Sequence, residues 1–274
     1  GGLTIITINK NANVFDDDGR WVSSKEQTLD DNLIEKIKAI DHVRAVTPVI
    51  NSYVMLTAGK YRGYMSIRAM DYEVFDDFDF PNLVFGEFPS KEDNSWIVLG
   101  QYAAWFYDPT YMGYNYQEPE VDFQKDKIEM EFNDYMTDPK KKPFKMTLSN
   151  IAQLEQTNGT YDYNAYMDLD YYKKIYQKYC NTLTLEDRKK AVRNLKEYQQ
   201  IMLNVDNIKN VLKVQEEIKE LGFVSESQMQ WLEPLQQASK TMQMVLGALG
   251  AVAMVVSAIS IANTMVMSIY ERTR

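Results

Sequence analysis

Cysteine and histidine are almost missing: Cys180 and His42 are the single examples among 274 residues. One thiol closes no internal disulfide. One imidazole, with no second imidazole or thiol to join it, builds neither a histidine-based zinc site nor a Ser/His/Asp relay. Also absent is the pattern G-x-x-x-x-G-K-[ST], so the chain is not expected to cradle ATP phosphates by that loop, and no cofactor is assigned to it. Positive charge is short as well, with 30 Lys and Arg against 39 Asp and Glu and a net charge of -9. Nucleic acid needs clustered cations to displace its counterions and is excluded as a partner. No positively charged n-region, apolar h-region or cleavage site opens the chain, which begins in the strand-like run 3–8. No catalytic constellation emerges, and the chain is not expected to be an enzyme.

Several short patterns come close to chemistry and fall back. Asp16-Asp17-Asp18-Gly19 has the composition of a calcium loop, but Val14 and Lys25 stand at its first and twelfth ligand positions, which leaves an acidic turn. Asp76, Asp77 and Asp79 read as a charged loop, and Lys140-Lys141-Lys142 as an exposed turn. Asn158-Gly159-Thr160 fits a glycosylation sequon and is given no role. The many tyrosines between positions 102 and 179 suit either a packed β-rich lobe or a recognition surface.

The strongest positive signal is residues 241–270, 30 consecutive residues without a charge, followed by Glu271, Arg272 and Arg274 at the expected membrane–cytoplasm boundary. A helix of roughly 20 such residues already crosses the hydrocarbon core, so the run is expected to span a lipid bilayer. Gly247, Ala251, Ala258 and Ala262 fall within about 60° of one another at helical spacing, a stripe where another helix could approach closely. Ser257, Thr264 and Ser268 form a neighbouring stripe, and Asn263 adds an amide at membrane depth. Hydroxyls can satisfy their own helix, but Asn263 argues for a bundle. The arginines after the span place the C-terminal end in the cytoplasm and residues 1–239 outside the cell or inner membrane. A domain exported in that way needs an earlier span or signal, so the chain is expected to be an excerpt that starts after another transmembrane helix.

The part before the span reads as α+β. A strand at 3–8, a helix opened by a capping box at Thr28 and continued by Leu33, Ile37 and Ile40, and an extended run from Val43 form one strand–helix–strand unit. A second has a strand at 198–205, Asp206 as N-cap, an apolar face of Ile208, Val211, Val214 and Ile218, a stop at Leu221-Gly222, and a closing strand at 223–225. Two such units at the chain's ends suggest one split α/β lobe, residues 1–58 with 197–230, around an inserted β-rich lobe, residues 59–196. Within the insert, strands are expected at 63–70, 95–99, 127–132, 143–154 and 164–169, and helices at 101–107, 171–179 and 186–198. Residues 231–270 form a stalk and the transmembrane helix, and 271–274 start a cytoplasmic segment.

Leu246-Gly247-Ala248-Leu249, Ile261-Ala262-Asn263-Thr264-Met265 and Ser268-Ile269-Tyr270-Glu271-Arg272-Thr273-Arg274 resemble the second transmembrane helix of MacB/FtsX-type ABC permeases. Ile40-Asp41-His42-Val43-Arg44-Ala45-Val46-Thr47-Pro48 is similar to that family's helix-to-strand junction, and Gly86-Glu87 with Trp96-Ile97-Val98-Leu99-Gly100 to its inserted-lobe pattern. Residues 108–142 match no part of it. The resemblance implies a porter-like split lobe with an inserted β-rich lobe in a four-helix permease. It implies a homodimer or paralogous heterodimer, an ABC ATPase subunit or domain that binds and hydrolyses the ATP, and an extracytoplasmic adaptor or hydrolase as a further partner. The function it implies is export or mechanotransmission; the alternatives are a regulatory subunit of FtsX type that controls an external cell-wall hydrolase, and a tethered sensor or hydrolase domain.

Overall fold

Alternation decides the first element: within Ile5–Asn9 (β1), Ile6 and Ile8 are buried and their neighbours half-buried, as a strand with one dry face requires. The computed structural model describes residues 2–15, 20–111, 119–132, 144–196 and 198–273. Asp16 to Gly19, Lys140 to Lys142 and Arg274, singled out above, lie outside the described residues. After β1 comes an antiparallel hairpin, β2 (Asn11–Phe15) with β3 (Trp21–Glu26), that no expected element covers. Asn11-Ala12-Asn13-Val14 alternates polar with apolar over four residues only, and β3 shows no alternation and is exposed from Val22 on, so the local signal is short. Helix α1 (Asp31–Lys38) buries Leu33, Ile34 and Ile37. Its cap is Asp30, not Thr28: Asp30 Oδ1 accepts from the Leu33 N–H at 2.9 Å. His42 takes φ 73°, and β4 (Val43–Ala58) then turns through Gly59 (φ 57°) and Lys60 into β5 (Tyr61–Met70), its antiparallel partner.

The following segment holds β6 (Leu83–Phe85), β7 (Ile97–Leu99), β8 (Ala104–Tyr107), β9 (Ile128–Phe132), β10 (Lys145–Thr147), β11 (Ile151–Leu154) and β12 (Ala165–Asp168), then α2 (Leu169–Cys180) and α3 (Leu185–Lys196). Two expectations are corrected. Residues 101–107 are not a helix, because Ala104–Tyr107 pairs with Arg62–Met65 of β5, and aromatic side chains suit that half-buried sheet surface. The approach is tight: a Cβ on Gly63 would lie 2.5 Å from the Trp105 carbonyl oxygen. The single strand expected over 143–154 is two strands, β10 paired with β9 and β11 with β7.

The last elements of this unit are β13 (Gln200–Val205), α4 (Val211–Glu220) and β14 (Glu226–Ser227). Asp206 is not the cap of the helical segment that follows. Asn207 holds that place, its Oδ1 accepting from the Lys209 N–H at 3.0 Å at the head of a short 3-10 turn, Ile208–Asn210. The closing strand comes later than 223–225, because the Gln27 side chain occupies the backbone of Val224 in the manner of a neighbouring strand. Gln27 Oε1 accepts from the Val224 N–H at 2.6 Å and its Nε2 donates to the Val224 carbonyl at 3.0 Å.

Strand order is β14-β1-β13-β4-β5-β12-β7-β11-β6. Across the first four, each neighbouring pair is antiparallel, so β1–α1–β4 and β13–α4–β14 interleave as two strand–helix–strand units in one sheet. Strand β4 continues out of that sheet: Val43–Val49 pair with β13, and 54–58 pair with β9. Strand β5 branches likewise, with Ile67–Met70 beside β12 and Arg62–Met65 beside β8. One face of the sheet is covered by the β5–β6 connection, whose Val74, Phe75 and Phe78 pack on Val49, Met70, Val98, Tyr166 and Met202. Arg44 fastens this cover through Asp77 at 2.8 Å, and Asn204 Nδ2 donates to the Asp77 carbonyl. On the other face α1 packs against β4, α4 against β1, and α2 against β5 and β12.

Candidate functional site

The chain divides into two units, Gly1–Ser227 and Gln228–Arg274, and the second is one helix, α5 (Met229–Arg272). Its 44 residues correspond to about 66 Å at the helical rise, more than twice the hydrocarbon thickness. Within it Pro234–Arg272 contains an 18-residue window with a mean hydropathy of 2.3, and no residue of the stretch is buried. An apolar helix with no dry face in its own chain has the surface of a segment whose solvent is lipid. Pro234 sits in the second turn and is the only proline of the helix. It removes one backbone donor at the start rather than in the apolar run.

Gly247, Ala251, Ala258 and Ala262 all lie on α5 and are exposed, and a Cβ added at Gly247 or Gly250 would meet nothing within 4 Å. Three hydroxyls of the run turn inward on their own helix. Thr264 Oγ1 donates to the Ser260 carbonyl at 2.8 Å, Ser260 Oγ to the Val256 carbonyl at 3.0 Å, and Thr241 Oγ1 to the Gln237 carbonyl at 3.0 Å. Thr264 therefore needs no second helix to be satisfied. Asn263 differs, since its amide has no hydrogen bond among the described residues. Glu271 and Arg272 form the last turn of α5, where a cation complements the helix dipole.

Elsewhere, His42 Nδ1 lies 2.9 Å from Asp206 Oδ2, joining the α1–β4 and β13–α4 corners at the surface. Cys180 is buried. Among the described residues no group of three His, Cys, Asp or Glu is placed to hold a metal ion. The aromatic insert serves both readings of its tyrosines: Tyr166, Tyr172 and Tyr179 are core residues, while Tyr102 and Tyr163 stand in solvent. A cavity of about 250 Å³ opens beside the core group, lined by Ile50, Tyr53, Phe132, Tyr172, Tyr176 and Gln199. An acidic pair at the ends of β5 and β12 was not legible in the sequence, because it depends on their parallel register, Met70 opposite Asp168. Asp168 is buried and accepts from the Tyr72 N–H at 3.1 Å, Asn94 Nδ2 at 2.7 Å and the Tyr171 N–H at 3.1 Å. Burial, and then the charge of Asp168, push the neighbouring Asp71 carboxyl up to about 6.

No family model matches the chain, and no curated protein sequence matches it. Among solved structures, the extracellular domain of the noncanonic ABC-type transporter YknZ from Gram-positive bacteria is similar, with 8% identity and a TM-score of 0.40 over 76% of this chain and 88% of that one. The chain is similar also to the periplasmic region of MacB from Actinobacillus actinomycetemcomitans, with 17% identity and a TM-score of 0.47 over 86% of this chain and 94% of that one.

Proposed function

We propose that this chain is the extracytoplasmic domain and following transmembrane helix of an ABC transporter permease of the MacB/FtsX kind, which couples the motion of a cytoplasmic ATPase to work outside the membrane. The observation that carries the reading is α5, a continuous helix whose apolar stretch has no buried residue and which bears the Asn263-Thr264-Met265 segment of the resemblance and ends on Glu271-Arg272. A helix whose backbone bonds are internal resists bending and passes displacement along its length. ATP hydrolysis belongs to the partner ATPase, and residues 1–239 face the exterior. Residues 1–58 with 197–230 act as one lobe and 59–196 as another, and β4 and β5 link them. Gly247, Ala251, Ala258 and Ala262 form the contact with a second transmembrane helix, and Asn263 bonds across it.

Cysteine labelling in intact cells tests the orientation. In a Cys180→Ser background, an impermeant thiol reagent should label Glu220→Cys without lysis and Arg272→Cys only after it. The reverse pattern overturns the reading. Gly247→Leu or Ala251→Leu should reduce co-purification with the partner permease, because a branched side chain holds the neighbouring backbone away, whereas Val256→Leu on the opposite side of α5 should not. Equal behaviour of the three variants would remove the packing assignment.

A further inference from the structure

The sheet face covered by the β5–β6 connection continues past that cover. At the far end of the β4–β5 hairpin it runs across β10, β9, β4, β5 and β8, and there Tyr53 is 73%, Trp105 50% and Tyr64 41% exposed. Cross-strand partners set Lys145, Glu131, Met55, Tyr64 and Trp105 in one row. Thr147, Glu129, Thr57, Arg62 and Tyr107 make the next. Residues in such a row share a face of the pleat. The rings are nearly parallel: Trp105 and Tyr107 have centroids 5.4 Å apart at 21°, and Tyr64 and Tyr107 are 6.2 Å apart at 10°. A few strands away Phe75, Phe80 and Tyr166 are packed together, so this fold buries aromatic rings where it has a cover for them. An uncovered aromatic patch with polar neighbours marks a binding surface.

Its chemistry narrows the occupant. Apart from Arg62, the charges around the rings are matched among themselves, Lys60 with Asp108 at 2.8 Å, Lys127 with Glu129 at 2.8 Å and Lys145 with Glu131 at 3.9 Å. Arg62 Nη1 donates to Thr57 Oγ1 at 2.5 Å. Such a face offers little net field to a charged partner. It is also a sheet surface rather than a pocket, and protein hot spots are anchored in pockets. What it does offer is a cluster of near-parallel, partly exposed rings with hydroxyl, guanidinium and carboxylate groups in the adjoining row. Glu131, in the row of Tyr64 and Trp105, carries a buried Oε2 that lies 3.9 Å from Lys145 Nζ and makes no hydrogen bond among the described residues. Pyranose rings have that dual character, with C–H faces that stack on aromatic rings and hydroxyls that both donate and accept.

We propose that this face binds a neutral glycan, a chain of uncharged pyranose units laid across Tyr64, Trp105 and Tyr107. The inference needs the folded first unit only, and it stands or falls apart from the permease reading. Titration of the full chain in lipid nanodiscs with cellohexaose and with chitohexaose, followed by saturation-transfer NMR and calorimetry, tests it. At least one of the two should bind. Trp105→Ala and Tyr64→Ala should each weaken binding about tenfold, the loss of one stacked ring. Trp105→Phe should retain most of the affinity, and Leu185→Ala, exposed on α3, should change nothing. Thermal melts of each variant separate lost binding from lost folding. Absence of binding by both oligosaccharides, or binding indifferent to Trp105→Ala in a folded variant, overturns the proposal. Trp105-dependent binding of extended peptides without sugar binding would assign the face to a protein partner instead.

Discussion

Helices α4 and α5 place apolar residues by opposite rules. In α4, Val211, Val214 and Ile218 are buried along one side while Lys213, Glu216 and Lys219 point to water. In α5 every residue from 234 to 272 is exposed, Val252, Met254, Val256 and Ile259 included. A stripe tells a helix which neighbour to pack on, whereas apolarity all round names a solvent. The first unit is thus held together by faces, and the second by the medium in which it sits.

The largest effect that bears on this contrast is a cavity under α4. Ile218→Ala should cost the first unit about 2–5 kcal/mol in chemical denaturation, while Ile259→Ala in α5 leaves that transition in place. Equal shifts would erase the distinction. Next is a charge in the span: Val256→Arg should add about 2.5–3.5 kcal/mol to insertion, reducing the protein retained in membranes after carbonate extraction, with Lys213→Arg in α4 as the silent control.

Titration separates the units as well, since residues 241–270 hold no charged group and the first unit holds Asp71. Its carboxyl, raised to about 6, faces Asp168, Asp170 and Lys173 at the start of α2 and Lys38 of α1. A carboxyl raised in the folded state contributes stability that is present below its unfolded value and lost as pH rises through about 6. Melting temperature should therefore fall between pH 5 and pH 7 by the equivalent of about 1 kcal/mol. Asp71→Asn should flatten that slope and melt higher at pH 7; a slope untouched by the substitution would remove Asp71 as its source. The smallest effect belongs to Thr264→Val. Because its hydroxyl bonds its own helix, membrane insertion and co-purification should be unchanged. Asp30→Ala, by contrast, should cost α1 about 1 kcal/mol, because that carboxylate closes an open backbone donor. A marked loss with Thr264→Val would place its oxygen in a contact between helices.

The elements that could be read from residues alone were those with a long or uninterrupted period. The apolar run of α5, the amphipathic α1, α2 and α4, and the strands β1, β4, β5, β9 and β12 belong to this group. Residues 101–107 failed because a short aromatic run suits helix and strand alike, and only the free edge of β5 decides between them. Thr28 failed as a cap because a side chain two residues later reaches the same kind of donor. In the hairpin of β2 and β3 the one alternating run, Asn11-Ala12-Asn13-Val14, has the minimum length of a strand signal, and β3 has none. Of the candidate site, the span, its small-residue stripe and its boundary charges were visible in composition and spacing. The aromatic face was not: its rows join Met55, Tyr64, Trp105 and Glu131, residues from four strands whose register no local pattern reports.

Sequence by itself determined that one segment of this protein is too long and too apolar for water, and that the remainder mixes strands with amphipathic helices. Those properties are sums over neighbouring residues and survive without any partner. Tertiary structure alone decided that β4 and β5 each serve two sets of neighbours, that Gln27 substitutes for a strand beside Val224, and that Asp71 stands next to Asp168. Each of these follows from strand register and from contacts between residues far apart in the chain, where hydrogen bonds and burial are made jointly by both partners and belong to neither sequence segment alone.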